Sequence, residues 1–356
     1  MAIKSTKKVL ASILSLAVFS QPFCGAKDFI ENKNIPQKSI VIKKEKPTVF
    51  NKIKEFAKKH PVKATVGGVV GLGTVVTVGG IIAKNAFFDD QNDQENILTA
   101  EDVKSGNLDK FEWEDNGVLK IKEGITTIGE KAFYECENLK EVSIPNSVTT
   151  IGVNAFNGCT SLGKVNFEEN SQLTEIGVGA FFRCGLTEVT IPNSVTTIGN
   201  YAFGGFTNLK EVNFEESSQL AEINYGVFSN CKKLSEITIP NSVGKIGEGA
   251  FYGCGLTEVT IPNSVTTIGR EAFCGCTSLK NVTIPNSVTT IGREAFCGCT
   301  SLNSVIIPNS VGKIGEGAFY GCGLTEVTIP SNCDYVKGGQ WRSFPEGCVV
   351  TPKQMK

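Results

Sequence analysis

From about residue 112 to residue 330, apolar and polar positions recur with a period of 22 to 25 residues, marked by isoleucine at 128, 151, 176, 198, 223, 246, 268, 291 and 314. One unit reads L-x-x-V-x-I-P-N-S-V-T-T-I-G-x-x-A-F-x-G-C. In Leu256-Thr257-Glu258-Val259-Thr260-Ile261, apolar residues alternate with polar ones, which predicts a half-buried strand. Pro262 ends its hydrogen bonding and Asn263-Ser264 turns the chain. Val265 and Ile268 then aim a second extended segment inward, Gly269 allows a bend, and Ala272-Phe273 opens a short helical or turn segment leading to Cys276. A coil of this kind returns to its start, so like residues stack in register about 4.8 Å apart.

Nine turns can be counted, with Asn224 the one departure from the glycine after isoleucine. Ile261 to Leu279 recurs verbatim as Ile284 to Leu302, and Ile239 to Pro262 as Ile307 to Pro330. Duplication of whole units requires each unit to be structurally self-contained, as in solenoids, where a coil touches only its neighbours. The unit resembles the BspA-type leucine-rich repeat, with Leu-x-x-Val-x-Ile as the strand and A-F-x-G-C as the convex return. The resemblance implies a parallel β solenoid with a surface for other macromolecules, and it implies no catalyst. Local departures are Phe206 for the cysteine, Phe167 and Phe214 for the strand isoleucine, and Val227 for alanine.

An open stack needs caps. Phe111 to Glu114 and Val118 to Ile121 flank Asp115-Asn116-Gly117, a hairpin signal at the front. Residues 331–356 leave the period, and Cys333, Trp341, Phe344 and Cys348 are the natural lid, with Cys333 and Cys348 a candidate disulfide outside the cytoplasm.

Upstream, Lys4, Lys7 and Lys8 precede an apolar run from Val9 to Phe19 and small residues at Cys24-Gly25-Ala26, so residues 1–26 read as a secretory signal peptide. Residues 27–63 are a basic juxtamembrane segment, with Val49, Ile53, Phe56 and Ala57 at helical spacing. Ala64 to Ala83 is 20 residues without a charge, the length of a membrane-crossing helix, with a glycine-rich spacer as the alternative; a hydrophobic helix over 64–84 is therefore expected, with membrane attachment through 64–83. An acidic linker, 85–110, then leads to the solenoid at 111–330. The two apolar runs conflict over topology, because a cleaved signal would export the basic stretch that the positive-inside rule retains.

Charge separates along the chain: residues 1–63 carry net +10 and residues 85–356 net −12. The single histidine, His60, leaves Ser-His-Asp and Cys-His chemistry without a second partner in the repeats. The cysteines at 136, 159, 184, 231, 254, 276, 299 and 322 each lie three residues after the unit phenylalanine. Phe206 fills the same column, and a site that phenylalanine can occupy is a core site. Cys274-Gly-Cys276 and Cys297-Gly-Cys299 add two thiols that could hold a soft metal or form a redox bridge, although Tyr252 and Tyr320 at the same place favour simple drift. Phenylalanines 133, 156, 181, 203, 228, 251, 273, 296 and 319 are expected to form a stacked spine, and no cofactor is needed to account for them.

The outward strand positions bear on function. One column holds Glu141, Glu188, Glu211, Glu236, Glu258 and Glu326; beside it lie Thr190, Asn213, Thr238, Thr260 and Thr328. This face would repel nucleic acid, and suits a basic protein, a matrix component or a cation. Such rows also stabilise sheets without binding anything. The sequence therefore predicts a non-enzymatic, exported, membrane-anchored solenoid that recognises a protein or a cell surface through repeated weak contacts, with no metal and no cofactor. The competing readings are a secreted effector entering a host membrane and a passive surface spacer.

Overall fold

The computed structural model of the chain describes residues 65–67, 73–78, 81–86 and 96–353, other than 108, 115 and 341. The signal peptide, the basic segment 27–63 and Trp341 lie outside the described residues. Two units are present, the strands between 65 and 86 and the body that starts at Asn96.

The first unit corrects the expected hydrophobic helix over 64–84. Thr65–Gly67, Gly73–Val78 and Ile81–Ala86 form a three-stranded antiparallel sheet, with Val66 and Ala83 both in register with Val76. The physical reason lies in residue type. Val, Thr and Ile lose side-chain freedom in a helix, and glycine costs about 1 kcal/mol there, so length and lack of charge were the wrong guide. Among the described residues no helix is long and apolar enough to cross a membrane.

The second unit is a stack of coils carrying two ladders of strands. The long ladder starts with the predicted hairpin, Phe111–Trp113 against Val118–Ile121. It continues in parallel through Glu141–Ile144 and Lys164–Phe167. Further parallel pairs are Glu188–Ile191 with Glu211–Phe214, Glu258–Thr260 with Asn281–Thr283, and Glu326–Ile329 with Val349–Pro352. A single bridge joins Thr238 to Thr260. The short ladder consists of two-residue strands such as Thr150–Ile151 and Thr267–Ile268, in blocks of five and six.

The return segments are turns. Their backbones also link coil to coil, each donor lying in the earlier coil: Phe133 N–H to Ala155 O and Phe156 N–H to Ala180 O, both 2.7 Å. Two positions per return are left-handed, for example Glu271 (φ 54°) and Gly275 (φ 74°).

The Ile-Gly glycines have a different purpose from the bend expected of them. None of these glycines in the repeats has positive φ. A Cβ on Gly292 would lie 2.6 Å from the Gly269 carbonyl carbon, and on Gly199 2.4 Å from the Val178 nitrogen. Glycine lets one coil settle on the backbone of the coil before it. Asn224 shows the converse, because the short ladder breaks between Thr197–Ile198 and Glu222–Ile223. There the Asn224 side-chain Nδ2 donates to Ile198 O at 2.8 Å, a carbonyl position that takes the glycine N–H in other coils, as when Gly199 donates to Ile176 O at 2.7 Å.

The core is the predicted aromatic spine. Adjacent rings from Phe133 to Phe319 lie 5.1–5.8 Å apart with interplanar angles of 4–14°. Near-parallel planes at such separations are slipped stacks, the favoured arrangement. Each buried ring contributes about 1.5–3 kcal/mol. Phe344 extends the spine into the C-terminal cap, 5.3 Å from Phe319, and Phe111 and Trp113 close the front over Phe133.

The front cap is larger than the hairpin. Ile97–Leu98 pairs with Thr127–Ile128, and a helix, Ala100–Ser105, follows, so the end of the stretch expected as linker is folded onto the first coil.

Candidate recognition face

Alternation along the long-ladder strands puts valine and isoleucine inward and the predicted site residues outward. Glu188, Glu211, Glu236, Glu258 and Glu326 are exposed, as are Thr190, Asn213, Thr238, Thr260 and Thr328; Glu141 is half-buried. Register brings several of them together: Glu188 sits opposite Glu211 and Thr190 opposite Asn213. Glu258 faces Asn281, and Thr260 lies between Thr238 and Thr283. Interruptions of the strand pairing after Lys164–Phe167, after Glu211–Phe214 and around residues 304–306 divide the face into patches, so it is not one unbroken sheet.

The electrostatics differ along the face. Glu141 accepts from Asn166 Nδ2 at 2.6 Å and Lys164 Nζ at 3.2 Å, and these two partners hold its carboxyl below the ordinary range. Glu211 accepts from Asn213 Nδ2 at 2.8 Å. No ion pair among the described residues involves Glu188, Glu211, Glu236, Glu258 or Glu326. Like charges opposite one another on a sheet are unfavourable, so stability alone does not account for Glu188 beside Glu211.

Hydroxyls separate the two ladders further. Beside the short ladder many are spent on the preceding coil: Thr149 Oγ1 donates to Thr126 O and Thr174 Oγ1 to Thr149 O, both at 3.1 Å, and Ser147 Oγ to Ile125 O at 2.9 Å, whereas Ser264 and Ser310 Oγ are buried without a partner among the described residues. The long-ladder hydroxyls of Thr190, Thr238, Thr260 and Thr328 have no such partner among the described residues. They remain available to a ligand.

Two further features bear on where a partner could bind. Ile306 stands 84% exposed on this same face. On the turn side, Phe182, Tyr201 and Tyr225 form an aromatic diagonal. Tyr201 packs edge-on against Tyr225 (4.8 Å) and Phe182 (6.2 Å), and its ring lies over Gly226, where a Cβ would meet it at 2.4 Å. Burial, with a hydrogen bond to the Tyr225 side chain, pushes the Tyr201 hydroxyl up to about 12. The available signal was an aromatic residue at three separate variable positions of the unit, which only the stacking brings together.

The column cysteines are buried, as expected, and those from Cys159 to Cys322 also hydrogen-bond. Cys159, Cys184 and Cys254 donate Sγ–H to the carbonyls of Phe133, Phe156 and Phe228 in the preceding coil, each at 3.0 Å. Burial pushes the Cys184, Cys254 and Cys276 thiols well above their usual range. Among the described residues no group of three or more His, Cys, Asp or Glu could hold a metal ion. Cys333 and Cys348 are half-buried free thiols in the C-terminal cap.

No curated protein matches the sequence. Solved structures with a similar fold include a leucine rich cell surface protein from Faecalibacterium prausnitzii, 24% identical over 69% of this chain and 93% of its own, with a TM-score of 0.33. A leucine rich repeat protein of T. pallidum is 28% identical over 55% and 87% (TM-score 0.37), and the pneumococcal vaccine antigen PcpA is 17% identical over 80% and 88% (TM-score 0.45). The family model for the BspA type leucine rich repeat region matches in six copies across residues 126–243 and 221–343, more than half of the chain, and the chain belongs to that family.

Proposed function

We propose that the protein is an exported, non-enzymatic recognition solenoid whose long-ladder face binds a basic region of a protein partner at a cell surface, with residues 1–26 as its export signal. The observation that carries this reading is the set of exposed, unneutralised glutamates Glu188, Glu211, Glu236, Glu258 and Glu326 beside unspent hydroxyls. Repeat solenoids present extended surfaces of this sort, and one weak polar contact per coil adds along a long partner. Membrane attachment through 64–83, which rested on a helix, has no part in the proposal.

The test is a pulldown with the repeat domain as bait. Converting Glu211, Glu236 and Glu258 to lysine should reduce partner capture about tenfold or more at low salt while moving the thermal midpoint by only about 2 °C. Unchanged capture would remove this face, and capture of nothing by the unaltered protein would favour a passive spacer. Protease cleavage of the repeats only after cell lysis would overturn surface display.

The aromatic diagonal supports a second reading, in which the turn side is the binding surface, since tyrosines concentrate binding energy at interfaces. Loss of capture in a Tyr201→Ala, Tyr225→Ala double variant, with the glutamate triple variant unaffected, would select it.

A further inference from the structure

Within the repeats, two thiols stand outside the cysteine column. Cys274 and Cys297 are half-buried on the turn side, in coils that are verbatim copies, so duplication has set one cysteine beside its own copy in the next coil. Tyr252 and Tyr320 fill the same unit position in the coils on either side, which leaves each thiol a single like neighbour. The backbone bonds flanking Cys274 tie it to the coil carrying Cys297: Phe273 N–H donates to Ala295 O and Gly275 N–H to Cys297 O, both at 2.7 Å. The rings of Phe273 and Phe296 beneath them stack at 5.2 Å and 4°. A coil spacing of about 4.8 Å lies within the Cα separation of about 4.4–6.8 Å that disulfides accept.

We infer that Cys274 and Cys297 are an oxidisable pair, which closes to an inter-coil disulfide by exchange with a small-molecule disulfide such as oxidised glutathione. The inference is independent of the ligand that the strand face takes.

The surroundings set the order of events. Burial and the neighbouring Cys297 thiol push Cys274 up to about 12. Burial raises Cys297 as well, against a thiol hydrogen bond from Cys274 that favours its thiolate. Glu271 and Glu294 raise both thiols, although each is paired with its neighbouring arginine, Glu271 with Arg270 at 2.7 Å and Glu294 with Arg293 at 2.9 Å. Cys297 therefore loses its proton first and attacks one glutathione sulfur, breaking that S–S bond and releasing one glutathione thiolate. Cys274, once deprotonated, attacks Cys297 Sγ and displaces the second glutathione. One disulfide is consumed and one formed; both thiol protons pass to solvent or to the departing glutathiones.

The column thiols of the same two coils, Cys276 and Cys299, are enclosed and bonded to carbonyls, so they remain reduced on the same timescale. The experiment exposes the full chain to oxidised glutathione at about pH 8.5, traps it with acid and alkylating reagent, and maps tryptic peptides. The expected product links peptide 271–280 to peptide 294–313 through Cys274 and Cys297, without bound glutathione on either. Cys274→Ser should instead accumulate glutathione on Cys297. The proposal is overturned if the unaltered protein carries stable glutathione on Cys297 to the same extent as the variant, or if neither cysteine reacts while Cys333 and Cys348 do. Circular dichroism of the variant shows whether folding is retained, and the result for the unaltered protein stands without it.

Discussion

At the scale of single residues, the fold is governed by how closely one backbone lies on the next. Gly292→Ala should destabilise by about 1–3 kcal/mol, because its Cβ has only main chain to press against. Gly312→Ala, where nothing lies within 4 Å and φ is not positive, should stay within about 0.5 kcal/mol of the parent. Urea midpoints of the two variants, measured side by side, check the contrast. The period made much of the residue layer legible: nine spine phenylalanines, the cysteine column and its Phe206 replacement were all assigned to the core from their spacing, and all are buried. The reason for the Ile-Gly glycine was not legible. A bend and a close contact both call for glycine, and only the position of the preceding coil separates them. The hydrogen bond from Cys159 to Phe133 O was hidden for the same reason, since its partner lies 26 residues away.

At the scale of elements, the front cap offers the clearest electrostatic expectation. The helix Ala100–Ser105 opens with a reciprocal capping box, in which Asp102 N–H donates to Thr99 Oγ1 and Thr99 N–H to Asp102 Oδ2. Burial acts to raise the Asp102 carboxyl, but hydrogen bonds from Asn107, Thr99 and Lys110 outweigh it and bring it down to about 2. A folded-state value below the unfolded one means that the stabilisation is complete above about pH 4 and is lost as pH falls through 2, with about 1–2 kcal/mol at stake. Asp102→Asn should lower stability at pH 7 by about that amount and flatten the acid limb of the unfolding curve, as chemical denaturation at pH 2, 4 and 7 would show. This helix was not legible because it is short, occurs once and lies in an acidic stretch that reads as linker. The strands between 65 and 86 were misread for another reason, since an apolar run without alternation is compatible with a helix or a strand and only its Val, Thr and Gly content separates them. The hairpin was readable, because Asn116-Gly117 between two alternating runs leaves few other structures.

At the scale of the whole molecule, coils interact with their neighbours, and stability is close to a sum over them. Removing Pro262 to Ile284, one 23-residue period, joins Ile261 to Pro285 in the correct phase and should give a shorter solenoid that still folds cooperatively. Its thermal midpoint should fall by a few degrees, measured by circular dichroism. Phe228→Ala, in mid-stack, should cost about 3–5 kcal/mol and divide unfolding into two phases, as the spine is interrupted between Phe203 and Phe251. The recognition face was legible as a list of outward positions; its division into patches, and the aromatic diagonal on the other side, depended on how the coils of 22 to 25 residues stack. The verbatim coils have a kinetic consequence as well. A folding chain that skips one of them and docks the next in its place meets the same surface it was built to meet, and forfeits only the contribution of the looped-out copy. The nearest competitor of the native state is thus a frame-shifted version of itself, and refolding should pass through that trap more often than in a solenoid with no two coils alike.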